Sequence, residues 1–163
     1  MPKLILVRHS KAVDRMDADD DFDRGLTPGG REDAVKTAEA LKAAGINIGL
    51  ILVSPAQRAM QTYVAMREAL GNPKFDDPMA LYHASPEMLF RAAIEAFERS
   101  DSVMMIGHNP GIGALALSLA ERAKQDDDLP DGFPTSAAAV FTTDDILNDV
   151  KLDLMINPKA LNH

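Results

Sequence analysis

Apolar residues fall into short unbroken runs separated by longer stretches of helical spacing. Leu4-Ile5-Leu6-Val7, Leu50-Ile51-Leu52-Val53 and Val103-Met104-Met105-Ile106 are such runs, and their length and lack of polar interruption predict strands buried on both faces. Between and after them, apolar side chains recur every three or four residues, as one face of a helix does. The sets are Ala34, Ala38 and Leu41; Ala59, Tyr63, Met66 and Leu70; Leu89, Ala93 and Phe97; and Ile112, Leu115, Ala116 and Leu119. Thr27-Pro28, Ser54-Pro55 and Ser85-Pro86 each place a hydroxyl cap before a proline suited to the first helical position. Gly45 and Gly71-Asn72-Pro73 are stop signals, and the turn Gly107 to Gly111 opens the fourth helix.

Two later strands are expected at Ala138 to Phe141 and Lys151 to Ile156. The second sets Leu152, Leu154 and Ile156 against Lys151 and Asp153, which predicts a half-exposed position near a sheet edge. Lys11 to Gly25 and Lys124 to Pro134 read as loops, the first too charged to pack. Strand and helix alternate, so the chain is expected to form one α/β domain over residues 1–163, with a mainly parallel sheet and helices on both faces.

Composition narrows the function classes. The net charge of −8 disfavours nucleic acid and anionic membranes, both of which need a basic face. With no cysteine, disulfides, thiolate metal sites and a cysteine nucleophile are excluded. Met1-Pro2-Lys3 leads into too short an apolar run for a signal peptide, and no stretch is long enough to span a bilayer, so a cytoplasmic location is expected. Asp19-Asp20-Asp21 lacks the Gly and Glu spacing of a calcium loop. The nine methionines suit core positions, and His163, the terminal residue, is expected to be disordered.

Candidate chemistry sits at the strand ends. The first strand delivers Arg8-His9, the second runs into Ser54-Pro55-Ala56-Gln57-Arg58, and the third into Gly107-His108. Ligands of open α/β sheets lie beyond the carboxyl ends of strands. If these three strands are parallel neighbours, two arginines and two histidines converge at one rim, beside helix N-termini, as a site for a phosphoryl dianion.

Val7-Arg8-His9, Leu26-Thr27-Pro28-x-Gly30, Ser54-Pro55-x-x-Arg58-Ala59-x-Gln61-Thr62 and Gly107-His108-Asn109 resemble the motifs of the histidine phosphatase superfamily, in that family's order. The short length, Leu81-Tyr82-His83-Ala84-Ser85 and Phe133-Pro134-Thr135-Ser136 are similar to its small SixA-like phosphohistidine phosphatases. The resemblance implies a phosphoglycerate mutase-like three-layer α/β/α sandwich with one strand antiparallel to the others. It also implies a single histidine phosphatase domain that needs no metal or organic cofactor. His9 corresponds to the nucleophile that becomes phosphorylated, and Arg8, Arg58 and His108 to the rest of the phosphate pocket.

Ser10 stands where the family usually has glycine, and its hydroxyl is expected to help bind a phosphate oxygen. Asn109 and His83 are the other substrate-binding candidates. The candidate general acid is Glu87, with Asp14, Asp17 and Asp19 behind it. The leading function is hydrolysis of phosphohistidine on a protein phosphotransfer domain, releasing inorganic phosphate. The alternatives are a phosphatase for small phosphate esters and a non-catalytic phosphate-binding module.

Overall fold

Strands and helices alternate along the computed structural model, which describes residues 2–145 and 148–160; His163 lies outside them. The order is β1 (Lys3–Arg8), α1 (Pro28–Ala43), β2 (Leu50–Val53), α2 (Gln57–Arg67), β3 (Lys74–Asp76), α3 (Pro86–Ala96), β4 (Ser102–Gly107), α4 (Gly111–Arg122), β5 (Ala138–Asp145) and β6 (Asp149–Ile156). One sheet has the order β3-β2-β4-β1-β5-β6. Its β3, β2, β4 and β1 pair in parallel, and β5 runs antiparallel to both β1 and β6. Only β5 is therefore reversed, as the resemblance implies.

The apolar runs are buried on both faces because alternate side chains enter different layers. Leu4 and Leu6 pack with Leu89 and Ala93 of α3 and Leu115 and Leu119 of α4. Ile5 and Val7 pack with Ala34, Ala38 and Leu41 of α1 and Tyr63 and Met66 of α2. These are the outer layers of an α/β/α sandwich. Among the described residues no helix is long and apolar enough to cross a membrane.

Hydroxyl caps explain where α1 and α3 begin. Thr27 Oγ1 accepts from the Gly30 amide, and Ser85 Oγ from the Met88 amide. The expected third cap, Ser54, is not one: α2 starts later, after Ala56. Ser54 instead donates its N–H to the Ile106 carbonyl at 3.0 Å, which extends the β2–β4 ladder by one residue and turns its hydroxyl toward His108.

Three further departures have local causes. The charged segment after β1 forms two 3-10 turns, of which Arg15–Asp17 is exposed while Asp21–Asp23 packs on Arg58 and Tyr82. β3 is a three-residue exposed edge strand, too short to show a period. The expected single face of β6 is broken by a bulge: Val140 pairs with Leu154 but Phe141 with Leu152. Leu152 thus joins one core layer while Leu154 and Ile156 face the other.

Residues just beyond β1 are held by the start of α1. The Lys11 carbonyl accepts the Thr27 amide at 2.9 Å, and a Cβ built on Gly30 would lie 2.3 Å from that same oxygen. A Cβ on Gly29 would meet only Thr27 Oγ1, at 4.0 Å. Two substitutions of equal helix propensity therefore have opposite signs. In urea unfolding, Gly30→Ala destabilises by about 2 kcal/mol, whereas Gly29→Ala stabilises by up to about 1 kcal/mol.

Candidate active site

Neighbouring strands bring the predicted residues together. Arg8 lies opposite Gly107 in the β1–β4 ladder, and the His9 amide continues that ladder to the Gly107 carbonyl at 3.0 Å. His9 and His108 consequently emerge side by side, with ring centroids 5.1 Å apart and planes tilted by 54°. Arg58 enters from the first turn of α2 and is only 6% exposed.

The hydrogen bond of His9 fixes the position of its proton. His9 Nδ1 lies 2.7 Å from the Ser10 carbonyl, which can only accept, so Nδ1 carries the hydrogen and Nε2 keeps its lone pair. Burial lowers the His9 pKa to about 4, with the positive charges of Arg58, Arg8 and Arg24 acting in the same direction and the bond to Ser10 opposing them. His108 Nε2 lies 2.6 Å from Ser54 Oγ, and burial together with His9 and Arg58 lowers its pKa to about 3. Both rings are therefore neutral at neutral pH. His108 Nδ1 and Arg8 Nε are buried without a hydrogen-bond partner among the described residues. Arg8 Nη1 donates to the Phe133 carbonyl at 3.3 Å. The unpaired Arg8 Nε–H, close to the buried Arg58 guanidinium, suits an oxyanion.

Asp21, in the loop after β1, is the carboxylate that folds into this cluster. Its backbone carbonyl accepts Arg58 Nη1 at 2.8 Å and its Oδ2 accepts Arg58 Nη2 at 3.2 Å. The Tyr82 hydroxyl donates to Oδ2 at 2.6 Å, and Arg24 Nη1 to Oδ1 at 3.0 Å. The Tyr82 bond and the two arginines hold the carboxyl well below the usual range, so it stays ionised. Phe22 meets the Tyr82 ring edge-on at 5.0 Å, and Tyr82 approaches His108 at 5.8 Å. Asp21, Tyr82 and Ser54 are site residues that sequence reasoning misses. Tyr82 is marked only by its place in a matching motif, and no spacing rule separates Asp21 from its acidic neighbours.

Other expected residues are placed differently. The Ser10 hydroxyl is not offered to a phosphate: it pairs with the buried Ser136 hydroxyl, while the Ser10 amide donates to Thr62 Oγ1 at 2.9 Å. Asn109 staples the backbone, donating to the Gly132 carbonyl at 2.8 Å and accepting the Gly113 amide at 3.0 Å. His83 reaches the rim, stacked on Tyr82 at 3.9 Å. Glu87 does not join the cluster. It is exposed in the first turn of α3 and lines a separate groove with Phe90, Arg91 and Arg122, because the helix turns it away from His108. Asp14, Asp17 and Asp19 are exposed on the loop after β1. Among the described residues no group of three His, Cys, Asp or Glu side chains could hold a metal ion.

Comparison with known proteins places the sequence and the fold in one family. The family model of the histidine phosphatase superfamily (branch 1) matches residues 4–79. The phosphohistidine phosphatase SixA of Escherichia coli is 31% identical over 146 residues, spanning 88% of this chain and 86% of that protein. A crystal structure assigned to SixA of Agrobacterium tumefaciens superposes with a TM-score of 0.84 at 30% identity, covering 96% of this chain and 99% of the other. A protein histidine phosphatase SixA complexed with tungstate superposes at 0.79 with 26% identity, covering 98% and 99%.

The electrostatics have two measurable outcomes. Both imidazoles titrate below their ordinary 6.5, so the unfolded chain binds protons first as pH falls. Stability is then complete above about pH 6.5 and declines toward pH 4, whereas the contribution of Asp21 is lost only below its ordinary 3.8. By pH 5 the His9 imidazole alone lowers the unfolding free energy by about 2 kcal/mol. Urea titrations read this decline, and a His9→Asn, His108→Asn double variant flattens it. Separately, Asp21→Asn keeps an oxygen for Arg58 and Tyr82 but removes the charge that competes for Arg58. Calorimetry then finds tungstate or phosphate bound about fivefold more tightly, equivalent to about 1 kcal/mol.

Proposed function

We propose that this chain, which belongs to the histidine phosphatase superfamily and is a phosphatase, hydrolyses phosphohistidine carried on a protein. Residues 1–163 act in this reading as one phosphatase domain, in the cytoplasm. The observation that carries it is the state of the nearby carboxyl. Asp21, the acid folded against Arg58 and Tyr82, is held ionised, and Glu87 lines a different groove. A leaving alkoxide needs a proton delivered in the transition state, whereas the ring of phosphohistidine takes a proton from solvent on its other nitrogen beforehand and departs as neutral, weakly basic imidazole. A site without an undissociated carboxyl suits the second. The similarity to SixA proteins supports the same substrate class.

The reaction runs in two displacements. The lone pair of His9 Nε2 attacks phosphorus, and the P–N bond to the substrate imidazole, whose other ring nitrogen already carries a proton, breaks with its electron pair going to the departing nitrogen, so that neutral imidazole leaves. Nucleophile and leaving group are then the same chemical species, so the transfer is close to thermoneutral. Arg8, Arg58 and His108 face the equatorial oxygens, where fixed donors in a desolvated site stabilise developing charge. Water next attacks the phosphorus on His9, the second P–N bond breaks, and inorganic phosphate leaves with His9 restored. The Ser10 carbonyl holds the His9 tautomer throughout, and Ser54 orients His108.

Rapid quenching with a labelled phosphohistidine protein traps acid-labile, alkali-stable phosphate on His9, and His9→Ala removes both label and turnover. Arg58→Lys, which loses the paired donors, lowers kcat/KM by roughly 10²-fold. Phosphohistidine is used about 100-fold better than an alkyl phosphate. Turnover without label on His9 overturns the covalent step, and equal use of the two substrates overturns the assignment of phosphohistidine.

A further inference from the structure

A second concavity adjoins the histidine pair. Pro110, Ala114 and Leu117 form one wall and Leu129 and Pro130 the other, enclosing about 580 Å³ between the start of α4 and the loop before β5. Leu117 is 46% exposed although it is a large apolar side chain on a helix that is otherwise well packed. The groove is continuous with the catalytic cluster through Phe133 and Asn109. The Phe133 carbonyl accepts from Arg8, and Asn109 follows His108 directly while tying Gly132 and Phe133 to α4.

Its charge is opposite to that of the cluster beside it. Asp126 and Asp131 line the groove, both are exposed, and no lysine or arginine lines it. Neither aspartate forms an ion pair among the described residues. Carboxylates there repel a phosphoryl group, so the groove does not extend the phosphate pocket. It fits an apolar side chain with a cation next to it. The volume of about 580 Å³ is well beyond that of a phosphoryl group, so the groove has room for part of what carries the phosphate.

We propose that this groove docks the polypeptide that carries the phosphohistidine, taking an apolar side chain and an adjacent lysine or arginine while the phosphoryl group enters the Arg8–His9–Arg58–His108 cluster. The proposal rests on the phosphohistidine reading and adds a requirement on the sequence around the modified residue. Rim charges act mainly on association rate and are screened by salt, whereas the apolar contact is not.

The test uses two phosphohistidine peptides of equal length that differ only in carrying Leu-Lys or Leu-Glu beside the histidine, with free phosphohistidine as the reference. The wild-type chain uses the Lys peptide about tenfold better at low ionic strength, and the preference shrinks as salt is added. An Asp126→Lys, Asp131→Lys double variant reverses the preference and does not lower kcat/KM for free phosphohistidine. Leu117→Asp weakens turnover of both peptides but not of the free amino acid. Equal use of the two peptides by the wild type overturns the docking proposal alone, as does a double variant that slows peptides and free phosphohistidine alike. Turnover of an alkyl phosphate with no turnover of any phosphohistidine overturns the functional reading and the docking proposal together.

Discussion

Positive charge crowded into a water-poor rim of the sheet is the constraint that shapes the site. Burial acts most strongly on His9, and Arg58, Arg8 and Arg24 add to its effect. An imidazole in that field cannot keep a second proton, so the fold holds two rings neutral where isolated histidines would be partly charged. The guanidinium groups cannot shed theirs. The compensation available within the chain is Asp21, which reaches Arg58 and Arg24 at once. A loop that composition marks as solvated is thereby drawn onto the site and brings Phe22 against Tyr82.

Strand ends are legible in the sequence because a buried strand is an unbroken apolar run, and the residues directly after it must lie at the rim. That logic locates Arg8, His9 and His108 without any knowledge of the partner strands, and strand adjacency then brings Arg58 to them. Contacts set by loop conformation are not legible. Five aspartates occur between Asp14 and Asp21, and choosing Asp21 among them requires knowing that the second 3-10 turn carries it to Arg58. Ser54 misleads for a related reason: a Ser-Pro step looks like a helix cap, but Ser54 continues β2 in its ladder with β4 and its hydroxyl faces His108. Glu87 is where the pattern puts it, on a first helical turn, yet which way that turn faces depends on how α3 packs against α4. The bulge in β6 likewise leaves no mark in an alternation that is otherwise regular.

Ser136 shows how tightly the backbone behind the histidines is specified. Its φ of 68° is in the left-handed region, uncommon for a residue with a side chain. It is held there from several directions. Its amide donates to the Arg8 and His9 carbonyls, its own carbonyl accepts Thr37 Oγ1, and its hydroxyl meets that of Ser10. Such a conformation costs about 1–3 kcal/mol and persists only where the surroundings over-determine it. Ser10 in place of glycine therefore has a structural partner, and the two hydroxyls fix the backbone on which His9 is mounted.

Register, rather than any loop, sets the separation of the two imidazoles, since Arg8 faces Gly107 across a parallel ladder. Side chains alternate faces with each residue along a strand. A single-codon insertion or deletion inside β1 or β4 would swing one ring to the far side of the sheet and dismantle the pair outright. The segments 124–134 and 11–25 could meanwhile change length with the pair left in place. Lineages descended from this arrangement are accordingly free to diversify around the rim, while the lengths of its two middle strands stay frozen.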